Sequence, residues 1–357
     1  MTSLADDLPS LDVSPGPVRA EPLAADRPVR WGILATGKIA TGFVSNLALL
    51  DECEVAAVGA RRQESADAFA DRHGIGTAYG DYRALVEDPA VDVVYVATPH
   101  ALHREHVELA FEAGKPVLCE KSLTLDAADA EHLVALAREQ NLFLMEAMWM
   151  RCNPVVRRMQ QLLGSGALGT VRQVRADIGF VVDKPPTDRL LDPRLGGGAL
   201  LDMGVYPLTF ASLFLGEPST IAAAAALSEA GADLNLAVSL GYDSGAVAAL
   251  TACMTAWPPR TASVATDRGR IDVPAPFHHP HAVTWTGTDP DGGGPAEPVE
   301  IREELIGTGL AHEALEVVRC LRNGETESPL VPLDDTVALM RQMDRIRELV
   351  GVRYEVN

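Results

Sequence analysis

The chain has 357 residues and a net charge of −20, with 47% hydrophobic and 22% charged residues. The length predicts about two domains, each large enough to bury a core, and the composition is typical of a globular protein. The strong negative charge argues against binding to nucleic acid or to an anionic membrane surface, because both require basic patches.

Cysteine usage and the absence of long apolar segments predict a cytoplasmic protein. The five cysteines are scattered and form no C-x-x-C pair, so we expect free thiols in a reducing compartment. No apolar run approaches the ~20 residues that a membrane span needs, and the first residues do not resemble a secretion signal. We therefore expect a cytoplasmic protein of the size of an enzyme, with neither a membrane nor a nucleic acid as partner.

The N-terminal part of the chain predicts a tail followed by a dinucleotide-binding motif. Residues 1–28 are rich in proline and lack periodicity, which is typical of a flexible tail. A strand over Val29–Leu34, a turn of small residues and a helix over Thr41–Leu50 follow, with the motif A-x-G-x-x-A in the turn. A glycine there lets the backbone approach a pyrophosphate, and the helix N-terminus offers N–H groups. The predicted cofactor contacts in this turn are Ala35, Thr36, Gly37, Lys38 and Ile39.

The second predicted strand, Glu54–Ala60, ends in two arginines, Arg61 and Arg62. A carboxylate at this point would hold the ribose 2′-hydroxyl of NAD, whereas arginine suits the 2′-phosphate of NADP. NADP is therefore favoured over NAD, and a surface arginine pair is the alternative.

Alternating strands and helices continue to residue 148 and predict a parallel sheet of about six strands. Strand Val91–Ala97 is followed by Thr98, His100 and His103, which we predict to contact the cofactor; helix capping is the equal alternative for His100. The later helix Ala127–Gln140 and a final strand complete the series. Residues 29–148 are thus expected to form a doubly wound Rossmann domain.

A predicted buried strand, Pro116–Cys119, ends in Glu120 and Lys121. Charged groups at the carboxyl end of such a strand lie where doubly wound sheets bind ligands, so both residues are expected at the cofactor site. Lys121 is one of only four lysines among the 30 basic residues. A lysine here favours proton chemistry, since guanidinium does not release a proton.

Residues 149–357 are expected to form a second domain, for substrate binding and dimerisation. Its last helix is expected to pack back on the Rossmann domain. Its strands, over 220–227, 234–242, 246–254 and 262–266, predict a large and mainly antiparallel sheet, with helices on one face. The other face would need cover, so a homodimer through this sheet is expected. A helix over Ala199–Leu215 places Asp202 and Tyr206 on one face.

These motifs together resemble the Gfo/Idh/MocA oxidoreductases. The resemblance rests on strand–AxGxxA, TPHxxH, strand–EK, ME-x-x-W-x-R-x-x-P and GGALLDxGxY, and it covers the chain from Arg30 to about Val352. The most similar branch is that of the dimeric dihydrodiol dehydrogenases, also known as NADP-dependent D-xylose dehydrogenases. The resemblance implies a substrate site between a Rossmann domain and an α/β domain with an open antiparallel sheet.

The same resemblance implies catalytic roles for Lys121, Asp202 and Tyr206. Tyr206 would move a proton while hydride passes between the nicotinamide and a secondary alcohol or hemiacetal carbon of a sugar, polyol or trans-dihydrodiol. A nearby ammonium is expected to lower the pKa of Tyr206. Two positions depart from the family: Ser122 replaces a proline after the lysine, and Ala35 replaces a glycine, which is tolerable if its φ is negative.

Several assignments remain open at this point. Trp149, Arg151, Phe277 and His278 are substrate candidates, although Trp149 would equally suit hinge packing. The histidines of the 277–281 stretch favour a solvated or substrate-rim loop, and a metal site is not predicted. The alternative functions are an NAD(H)-dependent inositol or sugar dehydrogenase or ketoreductase, and a sensor that binds NADP(H) without turnover.

Overall fold

The computed structural model describes residue 16 and residues 20–288 and 294–354. Its first sheet is built from six short strands, and most of their residues are buried and apolar, as expected for a sheet covered on both faces. The strands are β1 (Val29–Leu34), β2 (Cys53–Gly59), β3 (Ala78–Tyr79), β4 (Val93–Val96), β5 (Val117–Glu120) and β6 (Leu144–Ala147). The connecting helices are α1 (Lys38–Leu47), α2 (Gln63–His73), α3 (Tyr82–Val86), α4 (His103–Glu112) and α5 (Ala127–Gln140).

All neighbouring strands of this sheet are parallel, in the order β3-β2-β1-β4-β5-β6. The strand order reverses between β1 and β4, which is where doubly wound folds open a crevice at the carboxyl ends of their strands. The predicted Rossmann fold is confirmed, and the site residues can be located relative to this crevice.

The second sheet has eight strands and is covered by helices on one face. Two helices, α6 (Trp149–Cys152) and α7 (Pro154–Gly164), lead into β7 (Val171–Gly179), and a π-helical turn over Leu200–Gly204 leads into α8 (Val205–Leu215). The other strands are β8 (Thr220–Leu227), β9 (Asp233–Gly241), β10 (Val247–Cys253), β11 (Ala262–Thr266), β12 (Gly269–Val273), β13 (Ala282–Gly287) and β14 (Val299–Arg302). The chain closes with α9 (Leu310–Arg322) and α10 (Leu333–Val350).

The order in this sheet is β14-β13-β12-β11-β7-β10-β9-β8, and only β7 and β10 pair in parallel among its described strands. The predicted mainly antiparallel sheet is therefore confirmed. Strands β12, β13 and β14 were not predicted, because their short stretches lie among prolines, glycines and charges. Helix α8, whose residues are almost all apolar, packs on β7 and forms the centre of this half.

Two helix starts differ from the sequence prediction, and both lie at the site. Helix α1 begins at Lys38 rather than Thr41, directly after the extended Gly37. The predicted helix Ala199–Leu215 begins with the π-helical turn that contains Asp202. In both cases side-chain periodicity does not reveal the first turn, because the turn is defined by backbone geometry.

Part of the predicted flexible tail is held against the fold. The N–H groups of Ala20 and Leu23 donate to carbonyls at the end of α9, at 3.1 and 3.0 Å, and Arg27 pairs with Asp92. The prediction of a free tail is therefore wrong for residues 20–28, while residues 1–15 and 17–19 lie outside the described residues. At the other end, α10 packs on α5, where the N–H of Ala127 donates to Asp344.

One helical stretch among the described residues, Pro193–Leu215, has the length and composition of a membrane span. However, 72% of its most apolar window is buried inside the fold. It includes α8, which packs on β7, and it is therefore the core helix of a globular domain.

Candidate active site

A cavity of about 1470 Å³ lies at the carboxyl ends of the Rossmann strands and extends to the second sheet. One end is lined by the turn after β1 and by the end of β2, and the other by the end of β7, the start of α8, Pro276, His278 and His279. Its size and position between the two halves are those of a site that holds a dinucleotide and a small substrate together.

The turn between β1 and α1 is shaped for an anionic group. A Cβ added at Gly37 would meet no atom within 4 Å, so the backbone here borders open space. No side chain caps the first turn of α1 in the described part of the chain, and its N–H groups therefore face the cavity without a side-chain acceptor. The residues present fit the pyrophosphate of a nicotinamide dinucleotide.

Ala35 in this turn departs from the sequence expectation. Its φ is +97°, so the negative φ at which an alanine would be tolerable here is not adopted. Its N–H donates to the carbonyl of Gly59 at 3.0 Å, which fixes the turn between the ends of β1 and β2. The alanine is thus held in a region that favours glycine, and this strain lies at the predicted pyrophosphate site.

The far end of the cofactor groove carries the predicted arginine pair. Arg61 and Arg62 line the cavity with Ser65 and Tyr82, and the Arg62 guanidinium donates to the Ser65 hydroxyl at 3.4 Å. No acidic side chain lines this end of the described cavity. Both arginines thus lie at this end of the cavity, together with two residues, Ser65 and Tyr82, that sequence reasoning missed.

Lys121 lies at the end of β5, with its ammonium over the start of α8. Its Nζ donates to the Asp202 carbonyl at 2.6 Å and lies 3.8 Å from the Asp202 carboxylate and 5.0 Å from the centre of the Tyr206 ring. The lysine and aspartate side chains are each only 13% exposed. Burial alone would lower the pKa of Lys121, but the surrounding Tyr206, Asp202 and Glu120 raise it overall, so the ammonium is charged at neutral pH.

Tyr206 lies on the first turn of α8, almost fully buried. Its hydroxyl accepts a hydrogen bond of 2.8 Å from the indole N–H of Trp149. Burial raises the pKa of Tyr206 to about 12, and the opposing effects of Lys121 and Trp149 are smaller. Lys121 lowers the pKa of Tyr206, as expected, but desolvation outweighs the ammonium, so the pKa lies above its usual value.

The Asp202 carboxylate interacts electrostatically with three cationic or polar neighbours. Burial would raise the pKa of its carboxyl, but Lys121, His100 and Arg189 together hold that pKa below its usual value. The Arg189 guanidinium lies 3.5 Å from its carboxylate. Asp202 is therefore a carboxylate that fixes the lysine and faces the cavity.

Three consecutive glycines allow the loop before α8 to approach this cluster closely. A Cβ on Gly196 would lie 2.9 Å from the Cβ of His100, and one on Gly198 would lie 2.2 Å from the Asp233 carboxylate. That carboxylate accepts a 2.6 Å hydrogen bond from the N–H of Leu200. The glycines thus let Asp233 hold the π-helical turn that presents Asp202.

Glu120, His100 and Thr98 line the cavity as predicted, and the first two also build the base of the site. Glu120 accepts hydrogen bonds from the Tyr95 hydroxyl and from the N–H of Lys121, which fixes the end of β5. A ring nitrogen of His100 lies 3.0 Å from the Lys121 carbonyl, and the other lies 3.3 Å from the Gly196 carbonyl. His100 thus connects the lysine strand with the glycine loop rather than capping a helix.

Three predicted site residues do not line the cavity. His103 is fully buried and bonds to the carbonyls of Thr98 and Ser122, so it supports the loops instead of touching a cofactor. Arg151 donates to the Leu330 carbonyl and pairs with Asp335, which ties α6 to the start of α10. Phe277 is fully buried against Phe210. These three assignments are corrected, because sequence position alone does not show which way a side chain points.

The loop over 276–281 forms a wall of the substrate end, so a solvated loop is excluded. His278 packs on the Tyr206 ring at 4.7 Å and His279 stacks on Trp149 at 4.8 Å, with both imidazoles lining the cavity. Burial lowers the pKa of His278 to about 3 and that of His279 to about 4, so both are neutral. Within the described residues no cluster of three or more His, Cys, Asp or Glu side chains is arranged to hold a metal ion.

A Rossmann sheet with an anion-binding turn and a lysine after β5, joined to a second half whose helix α8 supplies a tyrosine, defines a nicotinamide-dependent oxidoreductase. Residues 29–148 match the model of the oxidoreductase family with an NAD-binding Rossmann fold, and residues 156–272 match the Gfo/Idh/MocA C-terminal domain. The chain belongs to the Gfo/Idh/MocA oxidoreductase family.

Similar proteins act on diols and sugars. The chain is 37% identical to a trans-1,2-dihydrobenzene-1,2-diol dehydrogenase of Xenopus tropicalis, over 91% of this chain and 99% of that protein. The fold is similar to KijD10, a 3-ketoreductase from Actinomadura kijaniata in complex with NADP, with a TM-score of 0.79, 29% identity and coverage of 90% and 98%. It is also similar to an aldose-aldose oxidoreductase from Caulobacter crescentus, with a TM-score of 0.80, 26% identity and coverage of 91% and 98%. These similarities support a sugar or diol oxidoreductase.

Proposed function

We propose that the chain is an NADP-dependent oxidoreductase that interconverts a secondary alcohol or hemiacetal of a sugar, polyol or trans-dihydrodiol with its carbonyl form. The observation that carries this proposal is the buried Tyr206 hydroxyl beside Lys121 at the substrate end of an open dinucleotide groove. The nicotinamide, when bound, supplies or accepts the hydride. The side chains then have to hold the substrate and move one proton.

In the reductive direction Tyr206 donates its hydroxyl proton to the substrate oxygen. Because burial raises its pKa to about 12, the tyrosine is protonated at neutral pH and is ready to act as an acid. The Lys121 ammonium then stabilises the tyrosinate that remains, and the Trp149 N–H holds its oxygen in place. In the oxidative direction Tyr206 takes the proton back, which requires the tyrosinate form.

Asp202 positions the lysine and offers a carboxylate to a substrate hydroxyl. The lysine ammonium is held by the Asp202 carbonyl, and the carboxylate is also within 3.5 Å of Arg189. A sensor protein would have no need of a lysine, an aspartate and a tyrosine arranged in this way, so the arrangement favours the enzyme.

The preference for NADP is inferred from the end of the groove that Arg61 and Arg62 line, where no acidic side chain lines the cavity. Arginine there suits the 2′-phosphate of NADP. Titration of intrinsic fluorescence with NADPH and NADH would test it on wild type, on Arg61→Ala and on Arg345→Ala, a matched arginine on the exposed face of α10. We expect NADPH to bind at least about tenfold more tightly than NADH, and we expect only Arg61→Ala to lose this preference. Equal binding of both cofactors to wild type would contradict the NADP assignment and leave the NAD(H)-dependent alternative.

We also propose a homodimer through the open face of the second sheet. That face exposes small side chains at facing positions: Ala224 of β8 lies opposite Ala237 of β9, which lies opposite Thr251 of β10. A flat surface of this kind allows close approach of a second sheet. Sedimentation should give twice the 38.0 kDa chain mass for wild type and a monomer for Ala237→Arg. A monomeric wild type would contradict the dimer.

A further inference from the structure

The cavity is lined by basic side chains at its substrate end as well as at its cofactor end. In a chain with a net charge of −20, the lining includes only two carboxylates, those of Glu120 and Asp202. The six basic side chains that line it are Lys38, Arg61, Arg62, Lys121, Arg189 and Arg260. The first three lie at the cofactor end, where they face the expected phosphates.

The three cations of the substrate end are not equally neutralised. Lys121 and Arg189 both lie within 4 Å of the Asp202 carboxylate, at 3.8 and 3.5 Å. Arg260 forms no ion pair with any acidic side chain of residues 20–288 and 294–354, and its Nε is buried without a hydrogen-bond acceptor there. A buried guanidinium nitrogen that lacks an acceptor costs free energy unless a ligand supplies one.

The backbone around Arg260 is fixed firmly. Its N–H donates to the Asp177 carboxylate at 2.6 Å, and its carbonyl accepts from the N–H of Phe277 at 3.1 Å. Thr261 uses the other oxygen of the same carboxylate through its N–H and its hydroxyl. Asp177 therefore anchors the loop and is not the partner of the guanidinium. Arg260 also has a φ of +61°, an uncommon conformation for a side chain of this size.

Trp257 holds the guanidinium itself. The guanidinium carbon lies 4.4 Å from the centre of the indole ring, and this tryptophan is 66% exposed at the rim of the site. Stacking of this kind fixes the plane of the arginine while leaving its edge N–H donors free for a planar or tetrahedral oxyanion. After burial and neighbouring histidines, the Arg260 charge also lowers the pKa of His278 and His279, which places it near the wall that faces Tyr206.

We propose that Arg260, stacked on Trp257, binds an oxyanionic substituent, a phosphate ester or a carboxylate, carried by the sugar substrate. This inference rests on the proposed function, because the same substrate would place its reacting carbon at Tyr206. Neutral histidines and Asp202 contact hydroxyl groups between the two points. Bidentate hydrogen bonding from an arginine explains why a guanidinium, rather than one of the rare lysines, stands at this position.

Binding to the NADP⁺-loaded enzyme provides the test, since it does not depend on turnover. Calorimetry would measure the binding of glucose, glucose 6-phosphate and glucuronate to each protein. The proteins are wild type, Arg260→Ala and Arg260→Gln, and the control variant is Arg302→Ala, on an exposed strand. We expect at least one anionic sugar to bind wild type tenfold or more tightly than glucose, and the stronger of the two identifies the oxyanion. Both Arg260 variants should lose that preference, while NADPH affinity and the control remain unchanged.

Two results would overturn the inference: no preference of wild type for either anionic sugar, or a preference that both Arg260 variants keep. Circular dichroism establishes that a variant is folded, and the glutamine variant keeps most of the side-chain volume if the alanine variant does not fold. Anion binding without turnover of any sugar or diol would refute the proposed function and leave the subsite standing. Turnover of neutral substrates without an anion preference would refute the subsite alone.

Discussion

Replacing Trp149 with phenylalanine isolates one contribution to proton transfer. The indole N–H donates to the Tyr206 hydroxyl at 2.8 Å, and the rest of the ring stacks on His279. Phenylalanine keeps an aromatic ring for the stack and removes the donor together with the five-membered ring that carries it. The variant therefore tests whether this hydrogen bond helps Tyr206 to release its proton.

The expected size follows from the two protonation states of Tyr206. A hydrogen bond is worth about 1 kcal/mol to a neutral partner and about 2 kcal/mol to a charged one, so the N–H favours the tyrosinate by about 1 kcal/mol. Losing it should raise the pKa of Tyr206, already about 12 through burial, by roughly 0.7 unit. If proton transfer limits the reaction, kcat should fall about fivefold.

Steady-state rates in both directions between pH 6 and 10 would measure the effect, with Trp285→Phe on β13 as the matched substitution outside the site. We expect a lower kcat in both directions, an unchanged KM for NADPH and a rate of oxidation that still rises up to pH 10, because the pKa of Tyr206 lies above this range. A change confined to the KM of the sugar or diol would refute the reasoning, because it would make Trp149 only a wall of the substrate pocket.

Four further outcomes follow from the geometry. Lys121→Met should lower kcat for oxidation by roughly 10²-fold or more, since the tyrosinate loses its ammonium neighbour; a change of less than threefold would be inconsistent with the mechanism. In wild type, kcat/KM for oxidation should rise with pH up to 10, because the pKa of Tyr206 lies near 12, and a plateau near pH 7 would contradict that value. Ala35→Gly should raise the free energy of unfolding in urea by about 1 kcal/mol by relieving the positive φ, and destabilisation would exclude strain there. Gly198→Ala should destabilise the protein by roughly 2 kcal/mol or more and lower kcat, because the added Cβ would clash at a positive φ. Gly231→Ala, at a positive φ in open space, should destabilise it less.

The architecture could be read from the sequence because its signals are local and repeated. Apolar strands that alternate with helices specify a parallel sheet, and the charged end of β5 identifies the functional edge. Helix α5 even has the predicted bounds, since it combines a long periodic pattern with a clear end. Most residues that line the Rossmann end of the cavity follow from these elements with little further information.

Side-chain direction and long-range contact could not be obtained in the same way. His100 and His103 are three residues apart, yet only His100 lines the cavity, while Phe277 points away from it and its neighbour His278 faces Tyr206. The pKa of Tyr206 depends on the balance between burial and a nearby charge, and a sequence does not give that balance. Arg189 and Arg260 were missed because they lie in irregular loops, which carry no periodic signal.

The most direct test of the proposed function is NADPH-dependent turnover by wild type and Tyr206→Phe, with NADPH affinity measured on the same samples. Substrates would be trans-dihydrodiols and aldoses with NADP⁺, and the corresponding keto compounds with NADPH. We predict turnover by wild type and a loss of about 10²-fold or more in Tyr206→Phe, with unchanged NADPH affinity. Undiminished activity in Tyr206→Phe would contradict the assigned proton donor, and tight NADPH binding without turnover of any of these compounds would indicate a sensor instead.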